Sequence, residues 1–448
     1  MLLSRFVVTY ENVRPGEHVL YDVLSDHYVG VDDTTLQAVG RWGRGQGPTA
    51  DEFDGARVLE AEGIVVADRS VDDGRLRAHL DKAADGVPGQ MRVTLMPTLA
   101  CNLACTYCFQ KDSPAFNRMS SPDEAATLEW ILRKLDESGC SSLQVHYFGG
   151  EPLTRKDFVL RSAEVFSASM RARGGEFVWE ITTNGINLDR KFAQAMTALG
   201  EGVIKVTLDG DKETHDKGRV WRSGKGTFDQ IFANVREVAG HVKVRIGGNF
   251  RPGEGDSFER LLVRFDEAGI TDKLESVNFK PIMDTTHQAS GSCTGCQSTE
   301  EAAETRTLVQ LRGAVQKRKL GIANHESLES MLGPCELHWK NQFTIDPDGY
   351  VYKCPAVAGR REVALGHVTS GDHKKIAPLV ELRPWEQCGD CSYLPVCVGG
   401  CLGGKYLQTG RRDLVFCKKD QFEAVFQATI PQRYIEEFPQ EDKLSTAA

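Results

Sequence analysis

The middle of the chain alternates short apolar segments with polar, periodic ones, and this alternation restricts the fold more than any other feature. Six segments have the character of buried β-strands, and a helical stretch separates each from the next. Because strand–helix–strand units place consecutive strands parallel with right-handed crossovers, the pattern predicts an α/β fold. Six units are fewer than the eight of a closed barrel, so we expect a partial (β/α)6 TIM barrel. The predicted strands are 91–96, 143–148, 177–183, 203–208, 242–247 and 277–282.

The thirteen cysteines are clustered, which indicates metal binding or catalysis. The first residues become polar too early for a signal peptide, and no apolar run reaches transmembrane length. With a formal net charge of −9, we expect a cytoplasmic protein that binds neither membrane nor nucleic acid. Disulfides are rare in that reducing compartment. Three cysteines lie close together near position 100, and seven lie from Cys335 to Cys417.

Cys101, Cys105 and Cys108 follow the first predicted strand with the spacing C-x3-C-x2-C. The C-terminal ends of barrel strands carry the active site in such folds. A four-iron cluster normally takes four thiolates, so three thiolates leave one iron open to a small molecule. The alternative is a structural zinc site, although such sites usually pair two C-x2-C units or add histidines.

Polar motifs follow the next three predicted strands, in the order of the chain. Each lies where its strand ends, so a parallel arrangement would bring all of them to the face that carries the first cysteines. The motifs are Gly149-Gly150-Glu151-Pro152, then Thr182-Thr183-Asn184-Gly185, then Thr207 and Asp209 within T-L-D-G, followed by His215, Asp216 and Arg219.

The cysteine spacing and these motifs together resemble those of radical SAM enzymes, with Tyr107 at the usual aromatic position before the last cysteine. The resemblance implies that the three cysteines are catalytic and hold a [4Fe-4S] cluster. That cluster would cleave S-adenosyl-L-methionine reductively to methionine and a 5′-deoxyadenosyl radical. The cofactor-binding residues that it implies are Tyr107, Gly149, Gly150, Glu151, Asn184, Thr207, Asp209 and Arg219.

Within this implied site, Glu151 would pair with the methionine ammonium, and the other polar groups would suit the ribose hydroxyls and the methionine carboxylate. Asp216 and Arg219 have an alternative role as a surface ion pair. His215 has an alternative role as a helix-terminus residue.

The later cysteines resemble the seven-cysteine SPASM domain that follows the barrel in many radical SAM enzymes. The intervals are C-x13-G-x4-C, ending at Cys354, and C-x2-C-x5-C-x3-C, followed by Cys417. The alternative is a pair of zinc-ribbon-like sites. The resemblance implies two auxiliary [4Fe-4S] clusters and therefore three in all. One would be held by Cys388, Cys391, Cys397 and Cys417, and the other by Cys335, Cys354 and Cys401.

The sequence does not identify a fourth ligand for the cluster that Cys335, Cys354 and Cys401 would hold. Cys293 and Cys296 form a C-x2-C pair in the preceding Gly/Ser/Thr-rich stretch. One of them could complete the cluster, a substrate thiolate could do so, or both could be reduced loop thiols.

Residues 1–87 have three strand-like segments, two helical segments and a final short strand, a winged-helix-like pattern. It resembles the peptide-recognition elements of enzymes that modify ribosomally made peptides. Such elements bind a leader peptide as an added strand. A domain that only packs on the barrel or mediates dimerisation is the alternative. We therefore expect a recognition domain at 1–87, the barrel at 88–284, a bridging segment at 285–330 and a cysteine-rich iron–sulfur domain at 331–448.

The resemblance implies an oxidoreductase of RiPP biosynthesis that abstracts hydrogen from a precursor peptide with a leader segment. The expected product is a thioether or another side-chain crosslink, and the expected electron donor is a flavodoxin or ferredoxin. Two alternatives remain. One is formylglycine formation on a protein, as in the sulfatase-maturating enzymes. The other is a non-catalytic iron–sulfur partner that binds a leader peptide.

Overall fold

The structure, a computed structural model, describes residues 1–110, 117–282, 299–320, 335–370, 383–411 and 413–439. Cys293 and Cys296 lie outside the described residues, as do parts of the predicted bridging segment. Within the described ranges, no helix is long and apolar enough to cross a membrane.

The N-terminal region contains a three-stranded antiparallel sheet, in the order β2-β3-β4, and a separate pairing of β1 with β5. One apolar cluster joins Leu20 of the three-stranded sheet to Val39, Trp42 and Leu59, which lie on the two helices that follow it. The elements are β1 (Leu2–Leu3), β2 (Val7–Arg14), β3 (Glu17–Asp22), β4 (His27–Val31), α1 (Asp33–Gly43), α2 (Phe53–Ala61), β5 (Val65–Val66) and α3 (Arg69–Ala84).

Helix α3 occupies a charged stretch in which the sequence pattern predicts no helix. It has no apolar stripe, so its periodicity carries no signal. A buried polar contact holds it instead, because the carboxylate of Asp72 accepts hydrogen bonds from Ser4 Oγ at 2.7 Å and from Arg5 N at 2.9 Å. Asp68 caps the helix by accepting from Ser70 N.

Within the described part of the chain, the central sheet has nine strands, and six of them correspond to the strands predicted from the alternation. These six are parallel and lie side by side in the order of the chain, which is the strand order of an opened α/β barrel. They are β6 (Gln90–Leu95), β7 (Ser142–Tyr147), β8 (Glu176–Thr183), β9 (Glu201–Thr207), β10 (Lys243–Phe250) and β11 (Ser276–Pro281).

The two faces of this sheet differ in polarity, because side chains alternate along each strand. One face carries apolar side chains, such as Val145 and Ile204, that pack with apolar residues of the helices. The other face carries Arg92, His146 and Glu180. The helices between the strands are α4 (Ser121–Ser138), α5 (Lys156–Ala172), α6 (Arg190–Leu199), α7 (Lys212–Gly218), α8 (Phe228–Val238) and α9 (Gly255–Glu267).

The C-terminal region extends the same sheet. β12 pairs in parallel with β6, and β13 and β14 follow it in antiparallel pairing. The last helix returns to the N-terminal sheet, where Tyr434 donates to Glu17 at 2.7 Å and Arg433 pairs with Asp26 at 3.1 Å. The elements are α10 (Thr299–Lys317), β12 (Gln342–Ile345), β13 (Tyr350–Tyr352), β14 (Gly366–His367), α11 (Leu394–Cys397), α12 (Leu402–Thr409) and α13 (Lys419–Glu437).

Candidate active site

Cys101, Cys105 and Cys108 lie on the loop after β6, at the C-terminal ends of the parallel strands. Backbone hydrogen bonds hold this loop in place. The N–H groups of Ala104 and Thr106 donate at 2.8 and 3.0 Å to carbonyls of the segment that ends α7. The three thiols are close enough for their charges to interact. The first predicted motif therefore forms one group on the expected face of the sheet.

The surroundings of these thiols disfavour free thiolates but offer hydrogen-bond donors and a cation to a ligated set. Burial raises the pKa of Cys101 to about 11 and also raises that of Cys105. Leu103 N and Asn184 Nδ2 donate to Cys101 Sγ at 3.4 and 3.7 Å. The positive charge of Arg219 lies close enough to Cys105 to lower its pKa. Donors and a cation are thus in place for the negative charge that ligation by a metal cluster would create.

The two glycines of the G-G-E turn are required by the backbone of the cysteine loop. A Cβ at Gly149 would lie 2.2 Å from Thr98 O, and a Cβ at Gly150 would lie 2.3 Å from Ala100 O. Gly150 N instead donates to Thr98 O at 3.0 Å. Only glycine permits this approach, so the turn after β7 packs directly against the loop that carries the thiols.

Glu151 is buried, with 1% of its surface exposed, and its carboxylate is held by three donors. Asn184 N and Thr183 Oγ1 each donate at 2.7 Å, and Leu153 N donates at 2.9 Å. Burial raises the pKa of Glu151, and these hydrogen bonds oppose that shift. The carboxylate interacts electrostatically with Cys101, so a negative group is fixed beside the cysteine loop.

The Tyr107 hydroxyl joins the cysteine loop to the later motifs. It donates to Asp209 Oδ2, and it accepts from Arg219 Nη1 at 2.7 Å and from Asn249 Nδ2 at 3.2 Å. Asp209 Oδ1 accepts from Asn249 N at 2.7 Å. Arg219 is buried, and its Nε has no hydrogen-bond partner among the described residues. The guanidinium charge beside Cys105 can attract an anionic group that is not part of the chain.

His215 and Asp216 hold the residues of this site in place through hydrogen bonds to the neighbouring backbone. His215 Nδ1 accepts from Asp209 N at 3.2 Å, and its Nε2 contacts Thr227 Oγ1 at 3.0 Å. Thr227 Oγ1 donates in turn to Arg219 O at 2.7 Å. Burial lowers the pKa of His215 to about 3, so the ring is neutral. Asp216 accepts from Thr227 N at 2.7 Å at the start of α8, and its ion-pair partner is Lys212 at 3.0 Å rather than Arg219.

The structure therefore brings together the implied cofactor-binding residues around the cysteine loop, with Thr207 half-buried at the end of β9. Sequence reasoning did not find Thr227, because its role depends on contacts across two turns and no spacing marks it. It also did not find the part played by Thr183, although the residue lies within the T-T-N-G motif.

The seven later cysteines form two groups in which the thiols interact electrostatically, and the division is the one that the SPASM resemblance implied. Among the described residues, no three Cys, His, Asp or Glu side chains converge as a single-ion site requires. The first group is Cys335, Cys354 and Cys401, and the second is Cys388, Cys391, Cys397 and Cys417.

A tight hairpin and a close helix approach assemble the first of these groups. Asp346 accepts backbone hydrogen bonds in the turn between β12 and β13, where Gly349 has a φ of +78°. Cys354 follows β13, and a Cβ at Gly403 would lie 2.8 Å from its Sγ. Cys401 Sγ accepts from Gly404 N at 3.2 Å at the start of α12. The glycine lets α12 approach the hairpin.

A family model described as the radical SAM superfamily matches residues 95–263. That range contains the first three cysteines and each of the motifs from the G-G-E turn to Arg219.

Relatives with curated names match different shares of the chain. It is similar to an Fe-coproporphyrin III synthase of Methanosarcina barkeri, 34% identical over 30% of each chain. The cysteine-type anaerobic sulfatase-maturating enzyme of Clostridium novyi is 23% identical over 74% of this chain and 92% of its own. The sporulation killing factor maturation protein SkfB of Bacillus subtilis is 24% identical over 61% of this chain and 62% of its own.

Two solved structures share the fold. One is anSMEcpe with bound AdoMet and a peptide, with a TM-score of 0.61 and 18% identity over 78% of this chain and 100% of its own. The other is Streptococcus suis SuiB bound to the precursor peptide SuiA, with a TM-score of 0.53 and 15% identity over 93% of this chain and 99% of its own. The family model matches across the cysteine loop and its surrounding motifs, so residues 95–263 of this chain form a radical SAM domain.

Proposed function

We propose that this enzyme is a peptide maturase that crosslinks side chains of a ribosomally made precursor peptide, forming a thioether or a related bond. The observation that carries the proposal is the outer edge of β4. β4 is the last strand of the N-terminal sheet, and no strand of the described chain pairs with its outer side. Such an edge can accept an extended leader peptide as an additional strand.

The residues around the cysteine loop suit S-adenosylmethionine and a [4Fe-4S] cluster held by Cys101, Cys105 and Cys108. Glu151, fixed by three donors, would accept the methionine ammonium. The positive charge of Arg219, which lies close to Cys105, would attract the methionine carboxylate. When bound, the cluster and S-adenosylmethionine would supply the radical chemistry for hydrogen abstraction from the substrate.

The two later cysteine groups would hold auxiliary clusters, which makes three in all. The parallel pairing of β12 with β6 attaches the C-terminal region to the first barrel strand. This pairing brings Cys335 into electrostatic contact with Arg92 on the polar face of the sheet. An auxiliary cluster there is placed to accept an electron or to bind the substrate. A flavodoxin or ferredoxin would deliver the electron that starts the reaction.

Similar proteins support a peptide substrate. The matched relatives include SkfB, a maturation protein, and the mycofactocin maturase MftC of Mycolicibacterium smegmatis. The fold of SuiB, solved with a precursor peptide, extends over 93% of this chain. The fold of anSMEcpe extends over 78%. Of these two structures, only SuiB therefore matches nearly the whole chain.

A second candidate is formylglycine formation on a protein substrate. It is favoured by the similarity to the Clostridium novyi sulfatase-maturating enzyme, which extends over 92% of that relative. The cysteine loop would work identically in both reactions, so the substrate decides between them.

The proposal is tested by co-expressing the enzyme with a candidate precursor peptide, chosen from short open reading frames that neighbour its gene, and analysing that peptide by mass spectrometry. We expect the loss of two hydrogens for each crosslink. The Cys105→Ser variant should give unmodified peptide, because it lacks one ligand of the cluster. Cys140→Ser is the matched control, since Cys140 belongs to none of the three groups.

A peptide without its leader should react at least about tenfold more slowly, which corresponds to about 1.4 kcal/mol of lost binding. Conversion of a cysteine in a sulfatase-derived peptide to formylglycine would favour the second candidate instead. If the reduced enzyme formed no 5′-deoxyadenosine from S-adenosylmethionine, the catalytic proposal would fail, and a non-catalytic peptide-binding role would replace it.

A further inference from the structure

Lys205 and Lys280 are two cations on the polar face of the sheet that the proposed chemistry does not use. Lys205 lies on β9, two residues before Thr207, so both side chains leave the strand on the same face. Lys280 lies on β11, directly beside Asn249 of β10. Asn249 contacts Tyr107 in the candidate site. Both lysines are therefore on the face that carries the active site.

Gly247 allows Lys205 to lie across the sheet toward Lys280. Gly247 belongs to β10, the strand between the two lysines. A Cβ at this glycine would lie 2.8 Å from Lys205 Cε and 3.8 Å from its Nζ. The Lys205 side chain therefore passes directly over the glycine. The two ammonium groups are close enough to interact electrostatically.

The other charges nearby have partners of opposite sign. Arg92 pairs with Glu180 at 3.2 Å and with Glu336 at 3.0 Å, and Arg245 pairs with Glu275 at 3.1 Å. Neither lysine makes a hydrogen bond or an ion pair with any residue that the structure describes. Glu180 interacts with Lys205 only at longer range. Among these described residues, four cations face three carboxylates, so one positive charge is in excess, and the two lysines are the cations without a close partner.

Lys205 is half-buried and Lys280 is exposed on this face, so a ligand can reach the pair. Two like charges this close repel each other, and an anion between them removes the repulsion. The net charge of the whole chain is −9, so the attraction for an anion is local to this pair. Lysine ammonium groups act as point charges and do not impose the planar geometry of arginine. The pair therefore suits a single carboxylate that arrives with the substrate.

The charged groups around Lys280 indicate where such a carboxylate would lie. It interacts electrostatically with Asp209 of the candidate site and with Cys401 of the later cysteines. We propose that Lys205 and Lys280 form a carboxylate-binding subsite for the substrate peptide, between the S-adenosylmethionine site and the Cys401 group. This inference rests on the proposed peptide substrate. The carboxylate comes from an acidic side chain or from the C-terminus of the peptide.

The subsite is tested by lysine acetylation of the cluster-loaded enzyme without reductant, with the rate at each lysine read by mass spectrometry. The probes are acetyl-Ala-Ala-Glu-Ala-Ala-amide, its Gln counterpart, and acetylated penta-alanine with a free C-terminus, each with S-adenosylmethionine present. At ten times its dissociation constant, a carboxylate probe should slow acetylation of both lysines about tenfold. The Gln peptide should not slow it. The exposed Lys191 on α6 should react equally in every sample.

Protection by the Glu peptide alone identifies a side-chain carboxylate, and protection by free penta-alanine alone identifies the C-terminus. If neither peptide protects, the subsite does not exist. If S-adenosylmethionine alone protects both lysines, they bind its methionine carboxylate and the inference is wrong. Since no turnover occurs, failure here is distinguishable from failure of the proposed function. If the reduced enzyme formed no 5′-deoxyadenosine, only the proposed function would fail.

Discussion

Glu151 is a buried carboxylate that receives hydrogen bonds from the end of β8 and from its own turn. Burial raises its pKa, which means that its negative charge is unfavourable until a cation binds beside it. Arg219 is the complementary case, a buried cation whose Nε has no partner among the described residues. The two side chains together present opposite charges beside the cysteine loop, as a bound amino acid group would require.

We expect the Glu151→Gln substitution to weaken S-adenosylmethionine binding about tenfold to a hundredfold. The amide keeps the shape of the side chain but removes the charge, and a hydrogen bond to a charged group contributes about 1.5–3 kcal/mol. Equilibrium dialysis of the anaerobic enzyme would measure the affinity, with iron content as a check on cluster loading. The exposed Glu164→Gln is the matched control on α5. Equal affinities in the two variants would contradict the assigned role.

At the scale of elements, one buried side chain connects the end of β13 to the segment that leads into β12. Lys353 donates to Trp339 O at 2.5 Å, to Lys340 O at 3.0 Å and to Gln342 O at 2.8 Å. Its neighbour Cys354 belongs to the first of the later cysteine groups, and the three carbonyls lie just after the segment that carries Cys335. One ammonium thus ties together two segments that must supply thiols to the same group.

Lys353→Met should lower the free energy of unfolding by about 1–3 kcal/mol, because three buried carbonyls lose their donor. Iron loading should fall as well, since the Cys335 segment is no longer held against Cys354. Urea denaturation and iron analysis would measure both effects. Lys340→Met provides the control, as that side chain pairs with Asp85 at the surface. A variant with normal iron content would show that the cysteine group assembles without this connection.

At the scale of the whole molecule, the three cysteine groups are built from separate parts of the chain. The first lies on the β6 loop, while the other two use different cysteines that alternate within residues 335–417. The final helix α13 then packs against the N-terminal sheet, where Phe426 contacts Tyr21. The N-terminal region is therefore held against the last helix as well as preceding the barrel in sequence.

Removing the cysteines of one group should leave iron bound at the other groups, because no cysteine belongs to two groups. We expect about four fewer irons per chain in a Cys101→Ala/Cys105→Ala variant and about four fewer in a Cys388→Ala/Cys397→Ala variant. Only the first should lose S-adenosylmethionine binding. Iron and sulfide analysis beside the Cys140→Ala control measures this. Zinc in place of iron at the later cysteines would contradict the assignment.

Much of this organisation could be predicted from the chain alone. The alternation of strands and helices predicts the six parallel strands, because a buried parallel sheet needs apolar strands and covering helices. The motifs at the strand ends could be placed on one face for the same reason. Helix α3 could not be predicted, since the buried Asp72 that holds it makes contacts more than sixty residues away in sequence.

The sequence by itself determined the order of the strands, the cysteine spacings and which motifs follow which strand, because these depend on periodicity and local chemistry. Only the tertiary structure decided that Asp216 caps α8, that Arg219 is buried beside Tyr107, and that Lys205 lies over Gly247 toward Lys280. Those contacts join residues from different strands and turns. Their partners are set by which segments the fold brings together, and no local pattern records that.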